Sequence, residues 1–293
     1  MAVAAAKPSF LAARRRLFAA LFASAGMTLD PALARRRPGR TGNTEDIAPP
    51  SIPETLPRQD IRWLTRATFG FRIGEDAAYL ALGATDDARW AAWIARQLAP
   101  STIDDSGCDG LVASAGYQTL DKTANQLWND HHSVTNNYYL RMLPVAEVEC
   151  MTLVRQTYSQ RQLFEVMVDF WHDHFSVFGW DYDGGPMFVA MDRDAIRPYA
   201  LGNFRTMLQA VGESASMMYM LDLYASQSGH PNENYARELM ELHTLGAENY
   251  AGIIVNPDSP ANLTALGTFA AWDGEIERLR YVDDDVCEAA RAL

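Results

Sequence analysis

From residue 58 to the end of the chain, apolar residues return every three or four positions and rarely every second one. This constrains the fold more than any other feature, because the first spacing builds the buried stripe of a helix and the second the buried face of a strand. The stretch 147–178, "EVECMTLVRQTYSQRQLFEVMVDFWHDHFSVF", carries aromatics and methionines at helical intervals and predicts one or two long helices. "TDDARWAAWIARQLA" (85–99) has acidic residues in its first turn and Pro100 as a stop. Residues 203–226 predict a helix on each side of Gly212, with the methionines of "MMYML" (217–221) in core packing. "HPNENYARELMELHTLG" (230–246) predicts another helix, starting near Pro231 or Asn232 and closed by Gly246. The segment 247–280 lacks that rhythm and is expected to be a long irregular loop or a short hairpin. The fold class expected for 58–293 is all-α, a multi-helix globular domain.

The first 34 residues have a different character. Arg14, Arg15 and Arg16 precede the short apolar run "LFAALFASAGMTL" (17–29), and "ALA" follows at 32–34. A charged region, a hydrophobic region and a small-x-small site in that order predict a secretory signal. "RRLF" (15–18) is similar to the twin-arginine core, which routes folded proteins for export. The run is shorter than the roughly 20 apolar residues a bilayer span needs, and no later segment reaches that length, so the mature chain is expected not to cross a membrane. Residues 35–57, polar and proline-rich, are expected to be a disordered lead-in. The expected location is periplasmic or extracellular.

Several function classes fall away. A formal net charge of -12 gives phosphate backbones nothing to bind, which argues against nucleic acid as a partner. Lys7 and Lys122 are the only lysines, and no G-x-x-x-x-G-K-[ST] loop occurs, so nucleotide-driven phosphoryl transfer has no machinery. G-x-S-x-G, G-x-G-x-x-G and H-E-x-x-H are absent as well. The cysteines Cys108, Cys150 and Cys287 form no C-x-x-C pair; Cys108 with Cys150 is the disulfide an oxidising compartment would allow.

Two predicted helices carry polar stripes. At about 100° per residue, Asn234, Arg237, Glu238 and Glu241 fall in one sector, and Glu233 neighbours Arg237 at i,i+4. His243 falls among apolar residues and reads as a core or cap histidine. On the other helix Glu165, Asp169 and His172 share a face, and Asp169-x-x-His172 has the carboxylate-x-x-His spacing of helical-bundle metal sites. His174 falls among Phe170, Trp171 and Met167. Three readings stay open: a divalent-metal site with His172, His174 and Asp169 as ligands; an acid/base site using Glu238, Glu241, Asn234 and Arg237; or polar packing between helices.

The segments "WLTRATFGF" (63–71), "FWHDHFSV" (170–177), "IRPYALGNFRTMLQAV" (196–211), "PNENYARELMELHTLG" (231–246) and "YVDDDVCEAARAL" (281–293) together resemble the bacterial domain-of-unknown-function 1800 family. The resemblance runs from about residue 59 to the end. It implies a mostly helical exported protein, often encoded beside a partner of the sulfatase- or phosphatase-like domain-of-unknown-function 1501 family. The recurring residues of the family correspond to Trp171, His172, His174, Phe175, Asp222, Asn232, Glu233, Asn234, Arg237, Glu238, Glu241 and His243. Asp173 stands where asparagine is common, and Leu223 where a polar residue is usual. Family members continue past "ARAL" into a further helical region, so this chain is expected to be a C-terminally truncated member with apolar surface left exposed. The resemblance supplies no reaction. The expected function is an envelope-associated scaffold or partner-binding module, or else a metal-assisted enzyme acting on an envelope or extracellular polymer.

Overall fold

Caps and stops written in the sequence set the helix boundaries in the computed structural model, which describes residues 56–70, 75–133, 136–227, 229–270 and 276–293. The predicted signal (1–34) and all of the predicted lead-in (35–57) except Leu56 and Pro57 lie outside the described residues. The chain divides into two compact units, the first ending at Met207 and the second running from Leu208 to Leu293. Among the described residues there are thirteen α-helices and one pair of three-residue strands, an all-α fold.

The first unit holds α1 (Arg58–Ala67), α2 (Glu75–Leu80), α3 (Asp86–Gln97), α4 (Ser106–Ser114), α5 (Ala124–Leu127), α6 (Tyr138–Tyr158), α7 (Gln162–Phe175) and the short α8 (Phe188–Ala190). Thr85 caps α3 by accepting a hydrogen bond from the Ala88 amide, so the acidic "TDD" start works as the sequence suggests. The long aromatic stretch resolves into α6 and α7. Ser159 separates them, buried and donating to Asp105 at 2.7 Å.

Helix α6 contains Pro144, which leaves the Leu140 carbonyl one turn earlier without its helical donor. His131 supplies one: its Nδ1 lies 2.7 Å from that oxygen, while Lys122 Nζ reaches its Nε2 at 2.9 Å. A carbonyl can only accept, so Nδ1 carries the proton and Nε2 takes the lysine's. Burial first, and then the lysine charge, lower the pKa of His131. One core cluster gathers Met142, Val145, Ala146 and Trp180 of α6 and the turn after α7. Another gathers Leu56, Leu64 and Tyr79 with Trp90 and Trp93 around the buried Arg89–Asp60 pair, whose Nη2–Oδ2 distance is 2.6 Å.

After α7 the chain enters a continuous helical run whose pitch changes. Gly185–Met187 is a 3-10 turn, α8 follows, Met191–Ile196 is π-helical, and Arg197–Tyr199 returns to 3-10. A side chain at Gly185 would meet the Gly179 carbonyl at 2.6 Å, so glycine is what lets this run approach the loop after α7.

Helix α9 (Phe204–Gly212) spans the division between the units. The second unit adds α10 (Ala215–Met220), α11 (Glu233–Glu238), α12 (Pro260–Leu266), β1 (Thr268–Ala270), β2 (Ile276–Arg278) and α13 (Asp283–Ala292). The strands pair antiparallel with Thr268 opposite Arg278, inside the segment that lacked helical rhythm. Within "MMYML" Met217 is buried and Met220 exposed. Ala236, Tyr281, Val286 and Ala290 pack α11 against α13. Among the described residues no helix is long and apolar enough to cross a membrane.

Candidate active site

Two places carry the polar side chains that the sequence singles out, and each lies within one unit. In the first, α7 presents Glu165, Asp169 and His172 on one face, as the i, i+4, i+7 spacing requires. Glu165 is buried, and both its carboxylate oxygens accept from Arg197 Nη1, at 3.2 and 3.0 Å. Arg197 Nε donates to Asp192 Oδ2 at 2.8 Å, and Asp192 Oδ1 lies 2.9 Å from His172 Nε2. The result is a chain of alternating charge, Glu165–Arg197–Asp192, that ends on an imidazole.

Burial alone would raise the pKa of Asp192, but the Arg197 charge and the His172 hydrogen bond outweigh it and hold the carboxyl down to about 2. Glu165 goes the other way: burial lifts its pKa in spite of Arg197. An ionised Asp192 can only accept, so the proton of a neutral His172 sits on Nε2 and the lone pair is on Nδ1.

His172 also lines a cleft of about 580 Å³ with Asp169, Asp173, Glu149, Ser176, Trp180, Phe178 and Phe188 among its walls. Trp180 Nε1 donates to Glu149 Oε1 at 2.5 Å, and Gln156 Nε2 donates to Asp169 Oδ1 at 3.1 Å. Burial, and then the neighbouring Asp173 charge, raise the pKa of Asp169. One cleft therefore holds an oriented imidazole and a carboxyl that resists ionisation. Environments that separate two such groups are how acid and base roles are assigned on one fold. Ser176, which ends α7, adopts a left-handed conformation with φ 53°, and its amide donates to the His172 carbonyl at 2.9 Å.

His174 lies on the opposite side of α7 from His172, since two residues advance a helix by about 200°. Its ring packs edge-on against Trp171 and Phe175, at centroid distances of 5.5 and 5.1 Å, with Phe204 at 6.1 Å. His172, His174 and Asp169 do not converge as metal ligands. Among the described residues the His/Cys/Asp/Glu set with ligand spacing is Glu233, Asp283 and Cys287. That set is already bound internally: Arg237 Nη2 bridges Glu233 (3.2 Å) and Asp283 (2.9 Å), and the Cys287 thiol donates to Glu233 at 3.2 Å.

The second place is α11. Asn232 caps it by accepting from the Asn234 amide at 2.9 Å, and its own amide side chain donates to the Asp222 carbonyl at 3.0 Å. Asn234 Nδ2 reaches the Leu221 carbonyl at 3.4 Å. Arg237 holds α11 to α13 through Asp283, which also accepts from Tyr250 Oη at 3.0 Å. These bonds keep Asp283 below the usual carboxylate range.

Beyond Glu238 the helix widens into a π stretch, Leu239–Thr244. Burial raises the pKa of Tyr281, the Glu241 charge adds to that and the Arg237 charge opposes it, so Glu241 and Arg237 both lie near Tyr281. Glu238 and Glu241 are half-buried, with no hydrogen bond or ion pair to another described residue. His243 is buried, while Leu242 and Leu245 are exposed.

The profile of a protein family described as Protein of unknown function (DUF1800) matches residues 62–293. The chain belongs to that family. No curated protein and no solved structure matches it. For a DUF1800 chain the contrast between the two places is informative. "PNENYAR" holds helices together, whereas "FWHDHF" puts one histidine into an aromatic cluster and the other into a cleft.

Asp192, Arg197, Glu149 and Trp180 did not emerge from the sequence as site residues. Asp192 and Arg197 are five apart, a spacing that puts side chains on different faces of an α-helix. The π turn Met191–Ile196 brings them onto one face. The readable signal was a pair of opposite charges in "MDRDAIRPY" (191–199) beside an apolar run.

Proposed function

We propose that the cleft of the first unit is a metal-free acid/base site that hydrolyses a C–O bond in a neutral, hydroxyl-bearing polymer. The observation that carries this reading is the His172–Asp192–Arg197–Glu165 chain, which fixes the tautomer of an imidazole lining a cleft. His172 Nδ1 takes a proton from the attacking water while the Asp169 carboxyl gives one to the leaving oxygen. Water is thereby added across the bond, and His172 then loses a proton to solvent while Asp169 takes one from it, which restores both groups. Glu149 and Asp173 repel anionic substrates, while Phe178, Phe188 and Trp180 offer apolar surface to a sugar-like face.

The arginine run at 14–16 and the following apolar stretch support export, which would place the substrate in the envelope or outside the cell. The test is turnover of a panel of dye-labelled envelope and extracellular polysaccharides by the purified chain and a His172→Gln variant. A loss of at least about 100-fold is expected, within the range such groups contribute. Full activity in the variant sinks the assignment.

A second reading has its own observation. The second unit uses its motif residues for internal packing yet exposes Leu242, Leu245, Ile253 and Val255. That favours a partner-binding face, with a protein of the domain-of-unknown-function 1501 family as the partner to try first. Co-purification that survives His172→Gln but is lost in Ile253→Asp with Val255→Asp supports it; retention in the latter refutes it.

A further inference from the structure

Asp192 settles which nitrogen of His172 carries the proton. The acid of the same cleft raises the same question, because a carboxyl has two oxygens and only the protonated one can donate. Asp169 lines the cleft, and burial and the Asp173 charge resist its ionisation. Its Oδ1 accepts from Gln156 Nε2 at 3.1 Å. The carbonyl oxygen of a neutral carboxyl accepts an N–H better than its hydroxyl oxygen does, so this contact leaves the Asp169 proton on Oδ2.

Gln156 is held in place by its own neighbours. It is half-buried near the end of α6, and its main-chain carbonyl accepts from Gln162 Nε2 at 3.2 Å. Gln162 opens α7 and is buried; the same Nε2 donates to the Ser159 carbonyl at 2.8 Å, and its Oε1 accepts from the Phe69 amide at 3.1 Å. The backbone at Gln156 is therefore locked to the start of the helix that carries Asp169. The Gln156 hydrogen bond also favours the ionised carboxylate, opposing burial and Asp173.

We propose that Gln156 is the positioning residue of the acid, holding Asp169 Oδ1 so that Oδ2 presents its proton to the leaving oxygen. The proposal rests on the acid/base reading of the cleft. His172 and Asp169 are then matched. Each has one atom taken by a neighbour, Nε2 by Asp192 and Oδ1 by Gln156, and the remaining atom, Nδ1 or Oδ2, moves the proton. An uncharged amide suits the second task because it donates whether or not Asp169 is protonated. Arginine or lysine there would hold the carboxyl ionised, and a carboxylate would take the proton for itself.

Two variants of the full chain separate orientation from packing. Gln156→Met keeps the length and removes the donor, while Gln156→Glu keeps the size and exchanges the donor for an acceptor. The probes are methyl and nitrophenyl glycosides of the polysaccharide fragment that the panel identifies, since nitrophenolate leaves without acid help and methanol does not. The methyl-to-nitrophenyl ratio of turnover is expected to fall at least about tenfold in both variants. The Asp169 carboxyl, followed by carbon-13 NMR and assigned with Asp169→Asn, should titrate at higher pH in Gln156→Met than in wild type. In wild type the Gln156 side-chain amide should shift with the same midpoint as that carboxyl, a readout that needs no variant to fold. Separate midpoints, an unmoved carboxyl titration in a folded Gln156→Met, or a wild-type ratio in either variant each overturn the proposal. Wild-type protein inert toward the whole panel refutes the acid/base reading and the role of Gln156 with it. Active wild type with unaltered ratios in the variants overturns the role of Gln156 alone.

Discussion

Asp192→Asn keeps the shape of the side chain at the centre of the buried charge chain and removes its charge. Asp192 is buried and serves two donors, Arg197 Nε at 2.8 Å and His172 Nε2 at 2.9 Å. Breaking a buried ion pair by removing one partner costs about 3–5 kcal/mol. Asparagine still offers one oxygen and Arg197 keeps Glu165, so the lower end applies, about 3 kcal/mol.

The pH dependence gives an independent check with a definite sign. The Asp192 pKa falls from the ordinary 3.8 to about 2, so its contribution is fully present above the unfolded value and is lost as pH drops through the folded one. A difference of that size is worth about 2 kcal/mol at 1.36 kcal/mol per pH unit. Glu165, whose pKa is raised, acts in the opposite sense: ionising it costs stability above its unfolded value, and protonation relieves that cost as pH falls. The two windows separate, with the loss of the Asp192 contribution confined to acid below about pH 4. Urea unfolding followed by circular dichroism, on wild type and variant at pH 7, 4 and 2, measures both effects. A cost under about 1 kcal/mol at pH 7, or the same slope below pH 4 in both proteins, would refute the reasoning.

Other substitutions probe the rest of the architecture. Gly185→Ala places a methyl group against the Gly179 carbonyl, where the backbone has no room; a loss of about 1–3 kcal/mol is expected in urea melts, and an unchanged midpoint contradicts the packing described. Glu238→Ala and Glu241→Ala should each stay within about 0.5 kcal/mol of wild type. Arg237→Met removes two half-exposed ion pairs and should cost about 1 kcal/mol by the same assay. A Glu238→Ala variant that fails to fold would return this carboxylate to a structural role. Burial pushes the thiols of Cys108 and Cys150 up to about 11, so at pH 8 iodoacetamide should leave both unlabelled until urea is added; rapid native labelling shows that these thiols are accessible.

Both cysteines are free thiols in the structure. The spacing of cysteines along the chain could not decide that point, because a disulfide depends on the approach of two backbones. The helices themselves were legible. Thr85 and Pro100 bracket α3, and the periodic apolar residues of 147–178 give α6 and α7, because local hydrogen bonding and one buried stripe suffice to define a helix. The shared face of Glu165, Asp169 and His172 was legible for the same reason. Placing His174 among aromatics required only the helical angle.

What the sequence determined by itself, then, was the all-α class, the helix starts and stops, and which residues of α7 face together. Tertiary structure decided what those faces meet. Asp192 and Arg197 act as one group only because a π turn brings i and i+5 into line, and such a turn is set by packing rather than by local preference. Arg237 meets Asp283, forty-six positions later, because α13 packs on α11, a contact that no periodicity encodes. Local geometry repeats and can be read along the chain; charge pairing across helices depends on which surfaces pack, and only the folded molecule fixes that.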